Sequence, residues 1–273
     1  MIYLSHAPGP PLAEFIEYFW HLNDAPAHAR ERILPSGTLE LVVNLHEDEF
    51  RIYDPADPGR CRRFSGTLVS GAYRGYFVVD TREHASIVGV HFKAGGALPF
   101  LGLPLGELAD RHVDLASLWG PTAVELRDRL CSAPEPKSRF RILEEALARR
   151  LSSAVPLHGA VRAALDRLTC GGTGVRQVAS DLELSHRRFI ELFSREVGMT
   201  PKRFARVLRF QSAMALARSG PRPDWAPLAL DFGYFDQAHM IRDCVDFSGL
   251  PPGTLLRHGS VPVKESHVAM VGT

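Results

Sequence analysis

The chain has 273 residues and a formal net charge of +1, with 45% hydrophobic and 23% charged residues. These values are ordinary for a soluble globular protein, and the length allows two domains with their own cores. The sequence contains no apolar run of about 18 residues, which excludes a membrane-spanning helix, and its first segment lacks the pattern of a signal peptide. A cytoplasmic protein without membrane contact is therefore expected.

The cysteines follow no CxxC or other metal-ligand spacing, as expected in a reducing compartment. They are Cys61, Cys131, Cys170 and Cys244. Cys61 lies among arginines, and nearby cations favour the thiolate, so a redox-sensitive thiol is one interpretation of this segment. An ordinary reduced cysteine is the simpler one.

The first part of the chain is predicted to be rich in β-structure. A short helix is predicted from Pro11 to Trp20, because apolar residues recur there at helical spacing. Short runs rich in β-branched residues follow, as in an antiparallel sheet or small barrel. These runs are Gly37–Leu45, Phe50–Tyr53, Thr67–Val79 and Ser86–Phe92. Amphipathic helices are predicted over Thr122–Leu130 and Lys137–Ser153, and the joint to the second part is predicted at residues 152–156.

A barrel of this size can enclose a small ligand, and apolar side chains on or near the predicted strands are candidates for its pocket. They are Leu41, Val43, Phe77 and Phe92 on the strands, with Trp20 at the end of the predicted helix and Phe100 beyond the last strand. The alternative is that these residues simply fill the core. His46, His84 and His91 lie near acidic residues, but they form no recognisable metal signature, so neither a metal site nor a cofactor is predicted.

The second part begins with a helix predicted over Pro156–Cys170, and two further helices follow at Val175–Leu184 and Ser185–Val197. Ser185 stands where an N-cap belongs, and Gly198 stands where the last helix would end. Two short helices joined by a tight turn, the second one polar and partly basic outside, are typical of a helix-turn-helix. An ordinary antiparallel helix pair would show the same pattern.

The same arrangement of two short helices joined by a turn recurs further along the chain. A short helix over Asp224–Asp231 and a turn precede another helix that begins at Asp236 and ends before Gly249. The helix starts at Ser185 and Asp236 are 51 positions apart, and a long amphipathic segment connects the two pairs. Two helix-turn-helix units on one connecting helix can reach successive major grooves, about 34 Å apart.

The charge distribution agrees with such a role. Residues 1–155 carry 17 Lys and Arg against 20 Asp and Glu, whereas residues 156–258 carry 14 against 10. A modest basic bias confined to the second part suits contact with phosphate groups.

This order of motifs resembles the DNA-binding domain of the AraC/XylS family of bacterial transcription regulators. The matching segments are VASDLELSHRRFIELFSREVGMTP, RFARVLRFQSAMAL and LALDFGYFDQAHMIRDCVDFSGLPP. The first part resembles the sensor-like domain found before such domains in one group of regulators, through ILPSGTLELVVNL and GVHFKAGGALPFLGLPLGELADRHVDLASLWG.

These resemblances imply an α+β chain of two domains. Residues 1–155 would form a β-rich, cupin-like or small-barrel domain with helices, and residues 156–258 an all-α domain. Its helix-turn-helix units would span about residues 175–197 and 224–247, on a linker helix. Residues 259–273 are predicted to be a flexible tail.

The resemblance also implies which side chains read bases. They are His186, Arg187, Ile190 and Glu191 in the first unit, and Gln237, Ala238, Ile241 and Arg242 in the second. Side chains that would contact phosphates and position the protein are Ser185, Arg188, Arg195, Lys202, Arg203, Arg206 and Arg209. A solvated helix face is the alternative for each of these cations.

The second unit departs from the family pattern. Cys244 stands where the family usually has Phe, and this smaller side chain is expected to loosen the packing. Asp243 and Asp246 are acidic in a region where basic residues are common, and they are expected to repel phosphates. The first unit is therefore expected to supply most of the DNA affinity.

No GxSxG, Walker, HExxH or Rossmann motif occurs, so an enzyme is not predicted. The sequence predicts a DNA-binding transcription regulator that binds operator duplexes as a monomer or homodimer and acts on RNA polymerase. A small-molecule effector is expected in the first domain. The alternative is an effector-independent regulator whose first domain makes only protein contacts.

Overall fold

The computed structural model describes residues 2–23, 30–57, 59–80, 85–151, 156–170, 175–220, 223–257 and 267–270. Residues 2–151 form what we call the front half, and residues 156–257 form the helical half. The predicted joint over residues 152–156 falls almost entirely outside the described residues. No helix in the described part of the chain is long and apolar enough to cross a membrane.

The strands are β1 (Ile2–His6), β2 (Ile16–Asn23), β3 (Arg30–Ile33), β4 (Glu40–Asn44), β5 (Glu49–Tyr53), β6 (Cys61–Ser65), β7 (Thr67–Ser70), β8 (Phe77–Asp80), β9 (Ser86–Phe92), β10 (His112–Asp114) and β11 (His267–Met270). The helices of the front half are α1 (Leu98–Leu101), α2 (Leu115–Trp119), α3 (Pro121–Ser132) and α4 (Pro136–Leu151). Those of the helical half are α5 (Gly159–Cys170), α6 (Val175–Asp181), α7 (His186–Val197), α8 (Pro201–Ser219), α9 (Trp225–Asp231), α10 (Gln237–Ser248) and α11 (Pro252–Arg257).

The strands form two antiparallel sheets. The first sheet has the order β1-β2-β9-β4-β7-β10, and the second has the order β11-β3-β8-β5-β6. The prediction of a β-rich first part and an all-helical second part is confirmed. The described strands pair as two separate sheets rather than as one closed barrel.

The first sheet is buried on both faces. In β4, Leu41 and Val43 point into the larger core, whereas Val42 packs on the smaller core that lies against the second sheet. This alternation follows from the two-residue period of a strand. A strand between two cores needs apolar residues on both sides, and β4 supplies them.

The predicted helix from Pro11 to Trp20 is wrong. A single 3₁₀ turn at Leu12–Glu14 leads directly into strand β2. The register against β9 shifts between Ile16 and Tyr18, and this irregularity brings Ile16 and Phe19 into the same core. Apolar residues three positions apart therefore imitate a helical period in a strand.

Two other predictions need correction. The run Thr67–Val79 divides into β7 and β8, which belong to different sheets, because the chain leaves the first sheet after Ser70. The tail is not loose throughout, since residues 267–270 pair with β3 as strand β11. This pairing joins positions more than 230 residues apart, which local sequence patterns do not reveal.

The larger core continues from the front half into the helical half. Buried residues of the first sheet, α1 and α4 belong to the same cluster as the buried residues of α5 to α11. Backbones approach closely at this junction: a Cβ atom on Gly106 would lie 3.0 Å from the carbonyl oxygen of Ser194 in α7. The two halves therefore share one core.

The turn between α6 and α7 and the turn between α9 and α10 contain the same backbone hydrogen bond. Leu184 N donates to Ala179 O at 3.1 Å between α6 and α7, and Tyr234 N donates to Ala229 O at 2.9 Å between α9 and α10. The left-handed position of this turn is Gly233 in the second pair, with φ of +71°, but Glu183 in the first, with φ of +54°. A side chain at such a position is strained.

Replacing Glu183 by Gly is expected to raise the free energy of unfolding by about 1 kcal/mol, because Gly removes the steric strain at positive φ. Gly233→Ala makes the reverse change in the matching turn and is expected to lower stability by a similar amount. Denaturant unfolding at unchanged m-value measures both effects. A loss of stability in Glu183→Gly would show that the Glu183 side chain contributes more than its backbone strain costs.

Candidate nucleic-acid interface

Helix α7 presents a polar, exposed face at its amino-terminal end. Ser185 caps the helix by accepting a hydrogen bond from Arg188 N at 3.2 Å, and Gly198 ends it in the left-handed conformation. Phe189 and Phe193 are fully buried and fix which face points inward. The predicted base readers of this unit, His186, Arg187 and Glu191, are exposed, and Ile190 is half-buried.

Two of these side chains bind each other. Arg187 Nε donates to Glu191 Oε1 at 2.8 Å, one helical turn away. This hydrogen bond raises the pKa of Arg187 and lowers the pKa of Glu191, so both remain charged. Arg187 is 90% exposed, and its guanidinium can therefore exchange this partner for a base edge.

Helix α10 has the same design. Asp236 caps it by accepting from His239 N at 2.6 Å, and Gly249 ends it in the left-handed conformation. Gln237, Ala238 and Arg242 are exposed, and Ile241 is half-buried. The structure thus gives the eight predicted base readers matching places on two corresponding helices.

The linker helix α8 is tied to α10 through a group of ion pairs that we call the arginine ladder. Arg206 Nη2 lies 2.7 Å from Asp243 Oδ1 and 2.9 Å from Asp246 Oδ2. Arg209 reaches Asp243 at 3.5 Å, and Arg203 reaches Asp246 at 2.6 Å. The hydrogen bond to Asp243 is the largest cause of the raised pKa of Arg206.

The ladder corrects the interpretation of Asp243, whereas Asp246 pairs with the same arginines but stays exposed. Asp243 is 2% exposed and points into the protein, so it neutralises linker arginines instead of facing phosphates. The guanidinium groups of Arg203 and Arg206 also lie over the ring of Phe247, at 4.4 and 5.3 Å. Three predicted phosphate contacts, Arg203, Arg206 and Arg209, therefore already have structural roles.

The other predicted phosphate contacts have more exposed positions. Arg188 and Lys202 are exposed, and Ser185 is the cap of α7. Arg195 Nη2 lies 3.0 Å from Glu196 Oε1. Glu196 is itself buried and accepts a hydrogen bond from His158 N at 2.8 Å, next to the first turn of α5.

Cys244 belongs to the core of the second unit. It is fully buried, its Sγ lies 3.9 Å from Ser248 Oγ, and burial raises its pKa to about 12. Phe247, one turn along α10, adds an aromatic side chain to the same core, with its ring 5.1 Å from that of Phe210. The expected loosening at Cys244 stays a prediction.

The buried carboxylates were missed by sequence reasoning. Asp243 corresponds to the core residue Leu192 when α7 and α10 are aligned from their caps, and Glu196 corresponds to Phe247. This comparison was available in the sequence and would have marked Asp243 as an acidic residue on a core position.

The front half holds a cavity of about 80 Å³ between the two sheets. Trp20, Val42 and Leu68 of the first sheet face Phe50 and Phe77 of the second across it. Such a volume accommodates a few water molecules or a small molecule. The wall is mostly apolar, as in typical ligand sites.

The structure does not bring all predicted pocket residues together. Trp20 and Phe77 line the cavity. Leu41, Val43 and Phe92, with Phe100, lie in the larger core on the other face of the first sheet. The prediction that they share a pocket with Trp20 is wrong, because alternate residues of a strand point to opposite faces of the sheet, and Trp20 points to the face opposite Leu41, Val43 and Phe92.

The polar residues that line the cavity include a hydrogen-bonded pair, half-buried Tyr73 and buried His112, in addition to Ser36, Thr38, Glu40 and Ser70. The Tyr73 hydroxyl forms a hydrogen bond with His112 Nδ1, and the ring of Phe77 lies edge-on, 4.6 Å from that of His112. Burial lowers the pKa of His112 to about 3 and raises the pKa of Tyr73, so both are neutral at pH 7. This pair therefore offers neutral donors and acceptors to a ligand, whereas the carboxylate of Glu40 in the same wall is bound to His91.

The histidines considered as metal ligands are dispersed. His91 Nδ1 lies 2.7 Å from Glu40 Oε1 and its Nε2 lies 3.2 Å from Thr38 Oγ1, whereas His46 lies in a turn after β4. His84 is outside the described residues. Within the described ranges, no three His, Cys, Asp or Glu side chains are grouped as metal ligands would be.

Two segments of the cavity wall also contact the helical half. Pro35 O accepts a hydrogen bond from Gln211 Nε2 of α8 at 2.9 Å. The second segment, residues 71–77, carries the cavity residues Gly71, Tyr73 and Phe77, and Arg74 O within it accepts from Arg203 Nη2. The same arginine belongs to the ladder, so the cavity wall and α10 are connected through one side chain.

Arg206→Ala is expected to lower the free energy of unfolding by about 2 kcal/mol, because it removes the best partner of a buried carboxylate. Lys202→Ala is the matched control on the same helix, where the side chain is exposed, and is expected to change stability by less than about 0.5 kcal/mol. Chemical denaturation compares the two variants. Equal stability of both would mean that Arg209 alone satisfies Asp243.

Comparisons with known proteins agree with this architecture. Residues 4–114 match a family described as a domain of unknown function, DUF6597, and residues 178–258 match a family described as a helix-turn-helix domain. An uncharacterised helix-turn-helix-type transcriptional regulator of Haemophilus influenzae is 32% identical over 78 residues. This match covers 29% of the chain and 26% of that relative, so the chain spans about a quarter of its length.

Solved structures of ToxT from Vibrio cholerae are similar at low identity. An apo form that carries one substitution has a TM-score of 0.46 and 9% identity over 86% of this chain and 96% of that one. The wild-type form bound to an unsaturated fatty acid has a TM-score of 0.45 and 8% identity over 86% and 94%. Together, the motifs, the paired helices and the family matches confirm the resemblance stated for the sequence. The chain joins an amino-terminal domain of unknown function to a carboxy-terminal helix-turn-helix domain of the AraC type.

Proposed function

We propose that this protein is a sequence-specific DNA-binding transcription regulator that is controlled by a small molecule bound between the two sheets of the front half. The observation that carries the DNA-binding part is the repeated unit itself. Two capped helices, α7 and α10, present exposed polar side chains at their amino-terminal ends, where helix-turn-helix proteins contact base edges. The partner is a promoter or operator duplex, and RNA polymerase is the expected partner in transcription.

The first unit supplies most of the DNA affinity in this proposal. Helix α7 carries Arg187, Arg188 and Arg195 on exposed positions, whereas α10 carries a single arginine, Arg242. The linker arginines that could assist α10 are held by Asp243 and Asp246. Competition with these carboxylates weakens any phosphate contact that the linker makes.

The cavity supports control by a ligand. It is lined mainly by apolar side chains and by a few polar ones that include the neutral Tyr73–His112 pair, which favours a small, mostly apolar molecule that also carries hydrogen-bonding groups. Two segments of its wall also bind side chains of α8, because Pro35 O and Arg74 O accept hydrogen bonds from the helical half. A ligand that binds better when this wall is in one position would favour that position. It would thereby also favour the placement of α8 and α10 that accompanies it.

Binding to duplexes selected from a random pool tests the DNA-reading part. Arg187→Ala is expected to weaken binding by about tenfold, since a bidentate contact to a base is lost, and Arg242→Ala is expected to weaken it less. Fluorescence anisotropy at two salt concentrations measures both variants. Equal losses would contradict the dominance of the first unit, and failure to select any sequence would contradict the function itself.

Filling the cavity tests the ligand-controlled part. Ser70→Leu places an apolar side chain in the wall and is expected to abolish retention of a small molecule by the purified protein, as measured by mass spectrometry after denaturation. Ser132→Leu makes the same change on an exposed position of α3 and is expected to leave retention unchanged.

The alternative is that the front half makes only protein contacts, with no effector. It predicts that wild type and both variants carry no molecule and that Ser70→Leu does not alter DNA affinity. The proposal instead requires that the molecule retained by wild type changes DNA affinity of wild type and has no effect on Ser70→Leu.

A further inference from the structure

The turn before α10 contains one residue more than the turn before α7. The backbone hydrogen bonds of the two turns match as far as Leu184 and Tyr234. In the first unit the cap residue Ser185 follows at once, whereas in the second unit Phe235 intervenes before the cap Asp236. The added residue therefore lies at the amino-terminal end of the second recognition helix.

This added residue is an aromatic side chain that the fold leaves in solvent. Phe235 is 86% exposed, the highest value among the large hydrophobic residues that the structure describes, and the next is Leu230 at 62%. Its backbone is held, because Phe235 N donates to His239 Nδ1 at 3.4 Å and Asp236 caps the helix beside it. A fixed backbone with an unburied aromatic ring is a poor arrangement for stability and a good one for contact with a partner.

The surroundings indicate which partner. Gln237 and Ala238, the first exposed positions of α10, follow Phe235 directly after the cap residue Asp236, and an Arg242 side chain is exposed one turn further on. The first turn of a recognition helix lies at the base edges of the major groove. The apolar group that base pairs present there is the C5 methyl of thymine, and Phe is among the side chains that contact it.

We infer that Phe235 is a specificity-determining residue of the second unit, which selects thymine in the duplex by contact between its ring and the C5 methyl group. The inference rests on the proposed DNA-binding function. It assigns base selection in the second unit to the residue that the first unit lacks, in addition to Gln237 and Arg242.

The test uses the full-length chain and duplexes selected from a random pool. Wild type is expected to select a thymine in the half-site of α10 that the F235A variant no longer prefers. On the selected duplex, F235A is expected to bind about tenfold more weakly, and F235L to bind with intermediate affinity because it keeps part of the apolar contact.

Replacing that thymine by deoxyuridine removes only the methyl group. The replacement is expected to weaken wild-type binding about fourfold and to leave F235A unchanged, so that the two changes are not additive. V124A is the matched control, because Val124 is an exposed apolar residue of α3, and it is expected to keep wild-type affinity and thymine preference. Thermal unfolding of F235A should match wild type.

The outcomes separate the inference from the function on which it rests. If F235A retains the thymine preference, or loses as much affinity on the uridine duplex as on the thymine duplex, the contact with the methyl group does not exist. In either case the protein still reads DNA and only this inference fails. If wild type selects no sequence, both the inference and the proposed function fail.

Discussion

The requirement to bury both faces of the first sheet organises this protein. One face packs against the second sheet, and the other needs a separate apolar layer, which α1 and α4 cover only in part. The helical half completes that layer, with Phe193 and Phe204 in the same core as Leu41 and Phe92. The helical half thus shares the core of the front half and is not a separate body on a linker.

Because the two halves share a core, a displacement of the cavity wall can be transmitted to a helix of the helical half. Packed interiors transmit displacement because they contain few voids that could absorb it. The wall segment that carries Tyr73 and Phe77 touches the cavity on one side, and its Arg74 carbonyl touches Arg203 on the other. Arg203 in turn binds Asp246 of α10, so polar contacts connect the cavity wall to a recognition helix.

The two recognition helices are built alike but stabilised differently. In α7 the residues packed in the core include Phe189, Leu192 and Phe193, and its buried carboxylate, Glu196, accepts a hydrogen bond from His158 N instead of binding α8. In α10 a buried carboxylate, Asp243, replaces one of these residues and binds arginines of α8. Charge pairs depend on geometry more strictly than apolar contacts do, so the orientation of α10 relative to α8 is more narrowly defined.

The helical half was predictable because its signals are local. Ser185 and Asp236 cap the two helices at the predicted positions, and Gly198 and Gly249 end them as expected. The front half was less predictable, since β2 is buried on both faces and irregular near Ile16, which removes the two-residue period. The face of the sheet to which Leu41 points depends on which strands pair with β4. A single sequence does not show that pairing.

Strand β11 gives the helical half a second attachment. The chain enters this half after α4 and, beyond α11, pairs with β3 in the second sheet of the front half. The helical half is thereby connected to the front half on both sides along the chain, once where the chain leaves α4 and once through the β11–β3 pairing. A rearrangement of the two halves would have to keep or break this strand pairing in addition to the shared core.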